Sequence, residues 1–122
     1  MAKKILVIDD EPIITMSCQK ALQSEGFEVH TCSSGLEGVE MFNKDDYDLV
    51  IVDNKMPGID GFEVLDKVRA KRPLQKVIVI SGYNTPEQFQ KAQYHGASFY
   101  LEKPFTPDEL LEAVHKTIGS DD

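Results

Sequence analysis

Carboxylates and two partner groups stand where short apolar runs stop. Asp9-Asp10-Glu11 follows Ile5-Leu6-Val7-Ile8, and Asp53 follows Leu49-Val50-Ile51-Val52. Ser81-Gly82 follows Val77-Ile78-Val79-Ile80, and Glu102-Lys103-Pro104 follows the weaker run Ala97–Leu101. Two carboxylates ~4 Å apart repel by ~1 kcal/mol in water and ~4 kcal/mol at an effective dielectric of 20. A cluster of them either raises its pKa values or binds a cation. Hard oxygen donors with few other ligands suit Mg²⁺, which keeps several waters and takes one or two carboxylates plus phosphate. Lys103 offers a mobile positive charge for an acid or a phosphate oxygen, and Ser81 offers a hydroxyl donor. Each group has a plainer reading: Asp10 or Glu11 as a helix cap, Asp53–Gly58 and Ser81-Gly82 as turns, Lys103 as surface charge. Their joint placement favours chemistry, because four apolar runs of five deliver such a group at the same end.

That argument needs an element plan. The runs at 5–8, 49–52 and 77–80 are continuous and β-branched, as in strands covered on both faces. Phe27–Thr31 alternates, and with Ala97–Leu101 it reads as an edge strand. Helix signals lie between: Pro12 at a first helical position with Ile14, Cys18, Ala21 and Leu22; Ser34/Glu37 ahead of Leu36, Val39 and Phe42; Asp60-Gly61 ahead of Phe62, Leu65 and Val68. Thr85-Pro86-Glu87-Gln88 and Thr106-Pro107-Asp108-Glu109 are capping-box patterns with proline at N1. The first precedes Phe89 and Ala92, the second Leu110, Leu111, Val114 and Ile118. Five βα units imply a parallel sheet with right-handed crossovers. With strands 1, 3 and 4 interior, the reading is α/β, flavodoxin-like (βα)₅, order 2-1-3-4-5, which binds ligands at the carboxyl ends of its strands.

The 122 residues read as one domain, 1–122. Thirteen basic against twenty-one acidic residues give a net charge of −8. That excess argues against direct nucleic-acid binding and against an anionic membrane surface. No apolar stretch approaches the ~20 residues of a membrane helix, and the N-terminus reads as a strand rather than a signal peptide. Cys18 and Cys32 lack metal spacing and read as reduced, half-buried thiols of a cytoplasmic protein. His30, His95 and His115 are scattered, and Asp45-Asp46 with Asp48 reads as a solvated turn. No GxxxxGK[ST], GxGxxG or GxSxG occurs.

Taken in order, the acidic pair, Asp53 with Met56-Pro57-Gly58-x-Asp60-Gly61, Ser81-Gly82, Gly96-Ala97 and Tyr100-x-x-Lys103-Pro104-Phe105 resemble the receiver domain of bacterial two-component response regulators. The resemblance covers almost the whole chain. It implies that Asp53 is the phosphoacceptor in a phosphorelay, a carboxylate nucleophile. It implies Mg²⁺ on Asp10, Asp53 and the backbone carbonyl of Lys55, with Asp9 acting mainly through water. Lys103 would pair with the phosphoryl group or carboxylate, Ser81 and Tyr100 would be the switch residues, and the Lys103-Pro104 bond would be cis. Lys55 and Tyr83 would govern water access to the acyl phosphate. The implied partners are a histidine kinase or histidine phosphotransfer protein, and a downstream protein or output domain reached through the surface of helix 4, strand 5 and helix 5. Self-association on phosphorylation is a further outcome of that surface. The protein would be a signalling phosphoacceptor rather than an enzyme, catalysing only its own phosphorylation and dephosphorylation. Other readings weigh less. An aspartate-based phosphohydrolase wants an acid where Lys55 stands, a flavodoxin wants a hydroxyl-rich loop where Asp9-Asp10-Glu11 stands, and the full acidic set disfavours a degenerate receiver.

Overall fold

The structure, a computed structural model, describes residues 2–82 and 84–119. Tyr83, to which the sequence reading gives a part in water access, lies outside the described residues. Strands and helices alternate: β1 Lys4–Ile8, α1 Pro12–Ser24, β2 Glu28–Cys32, α2 Gly35–Lys44, β3 Leu49–Asp53, α3 Gly61–Lys71, β4 Val77–Ser81, α4 Pro86–Tyr94, β5 Phe99–Glu102 and α5 Pro107–Ile118. They form the expected α/β architecture, one parallel sheet in the order β2-β1-β3-β4-β5. The register pairs Ile8 with Val52, Asp53 with Ile80 and Ser81 with Glu102, so the carboxyl ends of β1, β3, β4 and β5 share one edge.

The two-residue period of the strands divides the core. Leu6, Ile8, Val50, Val52, Val77 and Val79 face α2, α3 and α4, and meet Phe42, Phe62, Leu65, Val68 and Ala92. Ile5, Val7, Leu49, Ile51, Ile78 and Ile80 face α1 and α5, and meet Cys18, Leu22, Leu110, Ala113 and Val114. Full burial of such side chains stabilises by about 1.5–3 kcal/mol each. The interior strands are therefore apolar on both faces, and a slip in register would either draw a buried apolar residue out of the sheet or carry Asp53 and the turn residues after it inward.

Four helices start on a side-chain cap: Ser34, Asp60, Thr85 and Thr106 accept from the backbone N–H of Glu37, Glu63, Gln88 and Glu109. The reciprocal half of a capping box is complete in α5, where the Glu109 carboxylate accepts from the Thr106 N–H at 2.8 Å. In α2 the Glu37 side chain reaches the N–H of Ser33 instead. In α4 the Gln88 oxygen accepts from Asn54 Nδ2 at 2.9 Å, so the box expected there is only half made.

Two of the apolar residues that mark the helices in the sequence are exposed. Leu36 is 63% exposed, because α2 turns Gly38 and Phe42 to the sheet and Gly35 to Ile59 and Val64. A Cβ on Gly38 would stand 2.8 Å from Ile8 Cγ1, and this close approach leaves Leu36 on the flank. Phe89 is 48% exposed, because the inward face of α4 runs through Gln88, Ala92 and His95; Phe89 instead meets Tyr100 edge-on at 5.8 Å. The acidic turn before β3 is tied down rather than merely solvated. Lys4 Nζ pairs with Asp45 at 2.9 Å, the Lys4 N–H donates to Asp48, and Arg72 pairs with Asp46. Cys18 and Cys32 are free and buried rather than half-buried, and burial pushes both thiols up to about 12, which makes them inert at neutral pH.

Gly61 holds the loop that follows Asp53 closed. Its N–H donates to the Asn54 carbonyl at 3.2 Å, and a Cβ there would overlap the Asp53 carbonyl oxygen and stand 2.8 Å from Asn54 Cα. Backbone atoms at that distance cannot swing aside as a side-chain tip can. Gly61→Ala is therefore expected to cost about 1–3 kcal/mol, measured by urea unfolding, with the amide resonances of 53–61 displaced. The same substitution at Gly119, where nothing lies within 4 Å, provides the comparison for backbone strain without the clash.

Candidate functional site

The chain leaves each central strand at the shared edge and turns into a helix, and the last strand residues are held there by the ladder. Asp9 is fully buried, and its Oδ1 accepts from the Glu11 N–H at 2.9 Å, which tightens the β1–α1 turn. Asp53 is 4% exposed at the end of β3, with apolar Ile80 as its register partner on β4. Asp10 is exposed at the rim. One oxygen from each of Asp9, Asp10 and Asp53 lies within 4.8 Å of the others.

Lys103 enters this cluster from the β5–α5 turn. Its N–H donates to the Ser81 carbonyl at 2.7 Å, and the Lys103-Pro104 peptide is cis. The ammonium lies 2.6 Å from Glu11 Oε1, 3.1 Å from Asp9 Oδ2 and 3.3 Å from Asp53 Oδ1. With Lys55 and Gly82, the residues Asp10, Glu11, Asp53 and Lys103 line a cleft of about 280 Å³. The Lys55 side chain is exposed at its mouth. Ser81 is fully buried at the end of β4. Tyr100 sits half-buried on β5, two residues before the strand's end and against the α4 side of the sheet.

Lys103 among these acids, with Lys55 exposed at the mouth, leaves negative charge in excess. Burial, followed by the charge of Asp9, pushes the Asp53 carboxyl up to about 6; Lys103 opposes the shift and Asp10 adds to it. Burial raises Asp9 as well, against the Glu11 N–H and Lys103. Burial alone would lower the Lys103 ammonium, but Glu11, Asp53 and Asp9 together outweigh it and raise it. Lys103 is thus a permanent cation. Asp9 Oδ2 accepts no hydrogen bond of good geometry among the described residues, so its compensation is ionic. A set of all-oxygen donors with raised carboxyls and one cation suits a hard divalent ion such as Mg²⁺.

The structure brings together Asp9, Asp10, Asp53 and Lys103, with Lys55 at the mouth and Ser81 on the adjacent strand end. It leaves Tyr100 outside the cleft. Two residues went unassigned from the sequence. Glu11 occupies the N-cap position of α1 but makes no side-chain cap, and gives its carboxylate to Lys103. Asn54 is 1% exposed and bonds to Gln88. A third consecutive acid hinted at the first; no local pattern marks the second.

Residues 5–115 match the family model described as the response regulator receiver domain, and the chain belongs to that family. Its function is phosphorelay signalling as a phosphoacceptor domain. Among curated proteins it is 32% identical over 115 residues to the cell cycle response regulator CtrA of Brucella ovis, covering 94% of this chain and 50% of that one. The chain thus spans about half the length of the curated relatives it matches. Among solved structures, the chemotaxis protein CheY4 of Vibrio cholerae is similar with a TM-score of 0.92 at 30% identity, covering 96% of this chain and 99% of that one. The response regulator TrrA of Thermotoga maritima, solved in complex with Mg²⁺-BeF, gives a TM-score of 0.84 at 40% identity over 93% and 97% of the two chains. No helix among the described residues is long and apolar enough to cross a membrane.

The raised Asp53 carboxyl sets a pH dependence for the metal-free protein. The folded chain takes up this proton below about pH 6, and the unfolded chain only near the ordinary aspartate value of 3.8. Asp53 therefore contributes stability at low pH that is lost as pH rises from about 4 through 6. Thermal melts without divalent ions should show Asp53→Asn more stable than wild type at pH 7, by roughly 1–3 kcal/mol, with the gap closing toward pH 4. A constant gap across that range contradicts the assignment of the shift to Asp53.

Proposed function

We propose that Asp53 is the residue that accepts the phosphoryl group, and that the chain, as one domain over 1–122, catalyses its own phosphorylation and dephosphorylation. The single observation that carries this reading is the ion pair of 3.3 Å between Lys103 Nζ and Asp53 Oδ1 inside the acidic cleft. A carboxylate with a raised pKa is still ionised at pH 7 and is the more basic nucleophile for it. An Asp53 oxygen attacks phosphorus as the bond from phosphorus to the donor's nitrogen or oxygen breaks; the departing group keeps that electron pair. Lys103, already beside the attacking oxygen, is in reach of a phosphoryl oxygen and neutralises charge that builds there. Asp9, held by the Glu11 N–H, keeps Lys103 from swinging out.

Asp10, Asp53 and the Lys55 carbonyl would hold Mg²⁺, with Asp9 acting through water. When bound, the ion neutralises phosphoryl oxygens and aligns the transfer. Ser81 and Tyr100 are the proposed switch. The Ser81 hydroxyl donates to a phosphoryl oxygen, space opens beneath the loop that follows it, and the Tyr100 ring turns inward. The α4–β5–α5 surface then changes for a downstream protein, an output domain or a second copy. The donor is a histidine kinase or a histidine phosphotransfer protein, and the acidic chain acts in the cytoplasm.

Intact mass after acetyl phosphate and Mg²⁺ should rise by one phosphoryl group that hydroxylamine removes, with none on Asp53→Asn. Gain of a labile phosphoryl group by that variant excludes Asp53, and turnover of external phosphomonoesters points to a hydrolase instead. Millimolar Mg²⁺ should raise the melting temperature, since a ligand at one hundred times its Kd adds ~2.7 kcal/mol. Asp10→Ala should remove that gain.

A further inference from the structure

We propose that the Asn54–Gln88 hydrogen bond is a latch that holds α4 in its unphosphorylated position, a second link between acceptor and helix beside Ser81. The inference rests on the reading of Asp53 as the acceptor.

Asn54 follows Asp53 directly and is 1% exposed. Its backbone is pinned on both sides: its N–H donates to the Ile80 carbonyl at 2.9 Å, and its carbonyl accepts from the Gly61 N–H at 3.2 Å. Only the side chain is adjustable. Its Nδ2 donates to Gln88 Oε1 at 2.9 Å, while its Oδ1 is buried with no hydrogen-bond partner among the described residues. The amide is thus fixed in an orientation that satisfies one end and leaves the other bare. A buried unpaired acceptor is unfavourable, so the arrangement holds only while the Gln88 bond outweighs it.

Gln88 is placed to matter. It is the third residue of α4, where the matching residue of α5, Glu109, completes a capping box; Gln88 turns to Asn54 instead. Elsewhere α4 is lightly held. Ala92 is its one buried residue, and its far end is fastened by His95, which contacts Asp66 at 2.9 Å and stacks on Phe62. Residues 82–85 alone join Ser81 to the helix, so a displacement of Ser81 by ~1–2 Å reaches the first turn of α4. Asn54 cannot follow, and a bond of 2.9 Å does not survive such a shift. The bond therefore counts in the resting state only. A contact made in one state alone biases the equilibrium toward it, and its removal tightens any ligand that selects the other state.

The test is a beryllofluoride titration of the whole chain at saturating Mg²⁺, followed by amide resonances. Gln88→Leu, of similar length without the acceptor, and Gln88→Ala should both bind about three- to tenfold more tightly than wild type, the ratio worth one net hydrogen bond. Before beryllofluoride is added, amides of 86–94 in both variants should already lie part-way along the line from free to bound wild-type positions. Gln90→Ala, exposed on the same helix, should change neither. Wild type that fails to bind beryllofluoride removes the acceptor reading itself. Wild type that binds, with Gln88 variants of unchanged or weaker affinity or with amides off that line, overturns the latch alone.

Discussion

Lys103 brings one ammonium to a cleft where Asp9, Asp10, Glu11 and Asp53 bring four carboxylates, and the rest of the molecule is arranged around that imbalance. In water the repulsion among those acids would be modest. At the end of a sheet whose neighbouring residues are fully buried apolar side chains, it is several times larger. The protein does not cancel it. Asp53 is left with a raised carboxyl, and Asp9 with an oxygen compensated by charge alone. A site balanced internally would have little affinity for an added cation, whereas one held short of positive charge suits a hard divalent ion.

The scaffold tolerates this because its stability lies elsewhere. β1, β3 and β4 are buried on both faces and packed against α1 and α5 on one side and α2 and α3 on the other. The cost of clustered charge at one edge is small beside that burial. The same division explains where movement is cheap. α4 contributes one buried residue to the core, and β5 is a four-residue edge strand of half-buried side chains. Rearranging them would leave the central strands untouched, since the buried side chains of β1, β3 and β4 pack mainly on the other helices.

Polar side chains do the coupling between the rigid and responsive halves. Lys103 fastens the β5–α5 turn to β1 and β3, and Asn54 fastens α4 to the end of β3. Both bonds reach across elements far apart in sequence. Both join polar groups beside Asp53 to elements that carry few buried residues.

Much of this was legible from residue order. Continuous β-branched runs separated by capped amphipathic segments determine a parallel (βα)₅ sheet, and the acids, Ser81 and Lys103 were placed at one edge because strand ends share an edge. Local chemistry suffices for that, since the period and the caps are properties of neighbouring residues. The exposure of Leu36 and Phe89 was not legible, because it depends on where Gly38 lets α2 approach and on the polar face that α4 turns inward. Glu11 looked like a cap and became a partner of Lys103; Gln88 looked like half of a capping box and became a partner of Asn54. In each case two local roles were open to one side chain. The choice fell to a group brought within 3 Å by the fold from 92 or 34 residues away, a distance in sequence at which no pattern can be read.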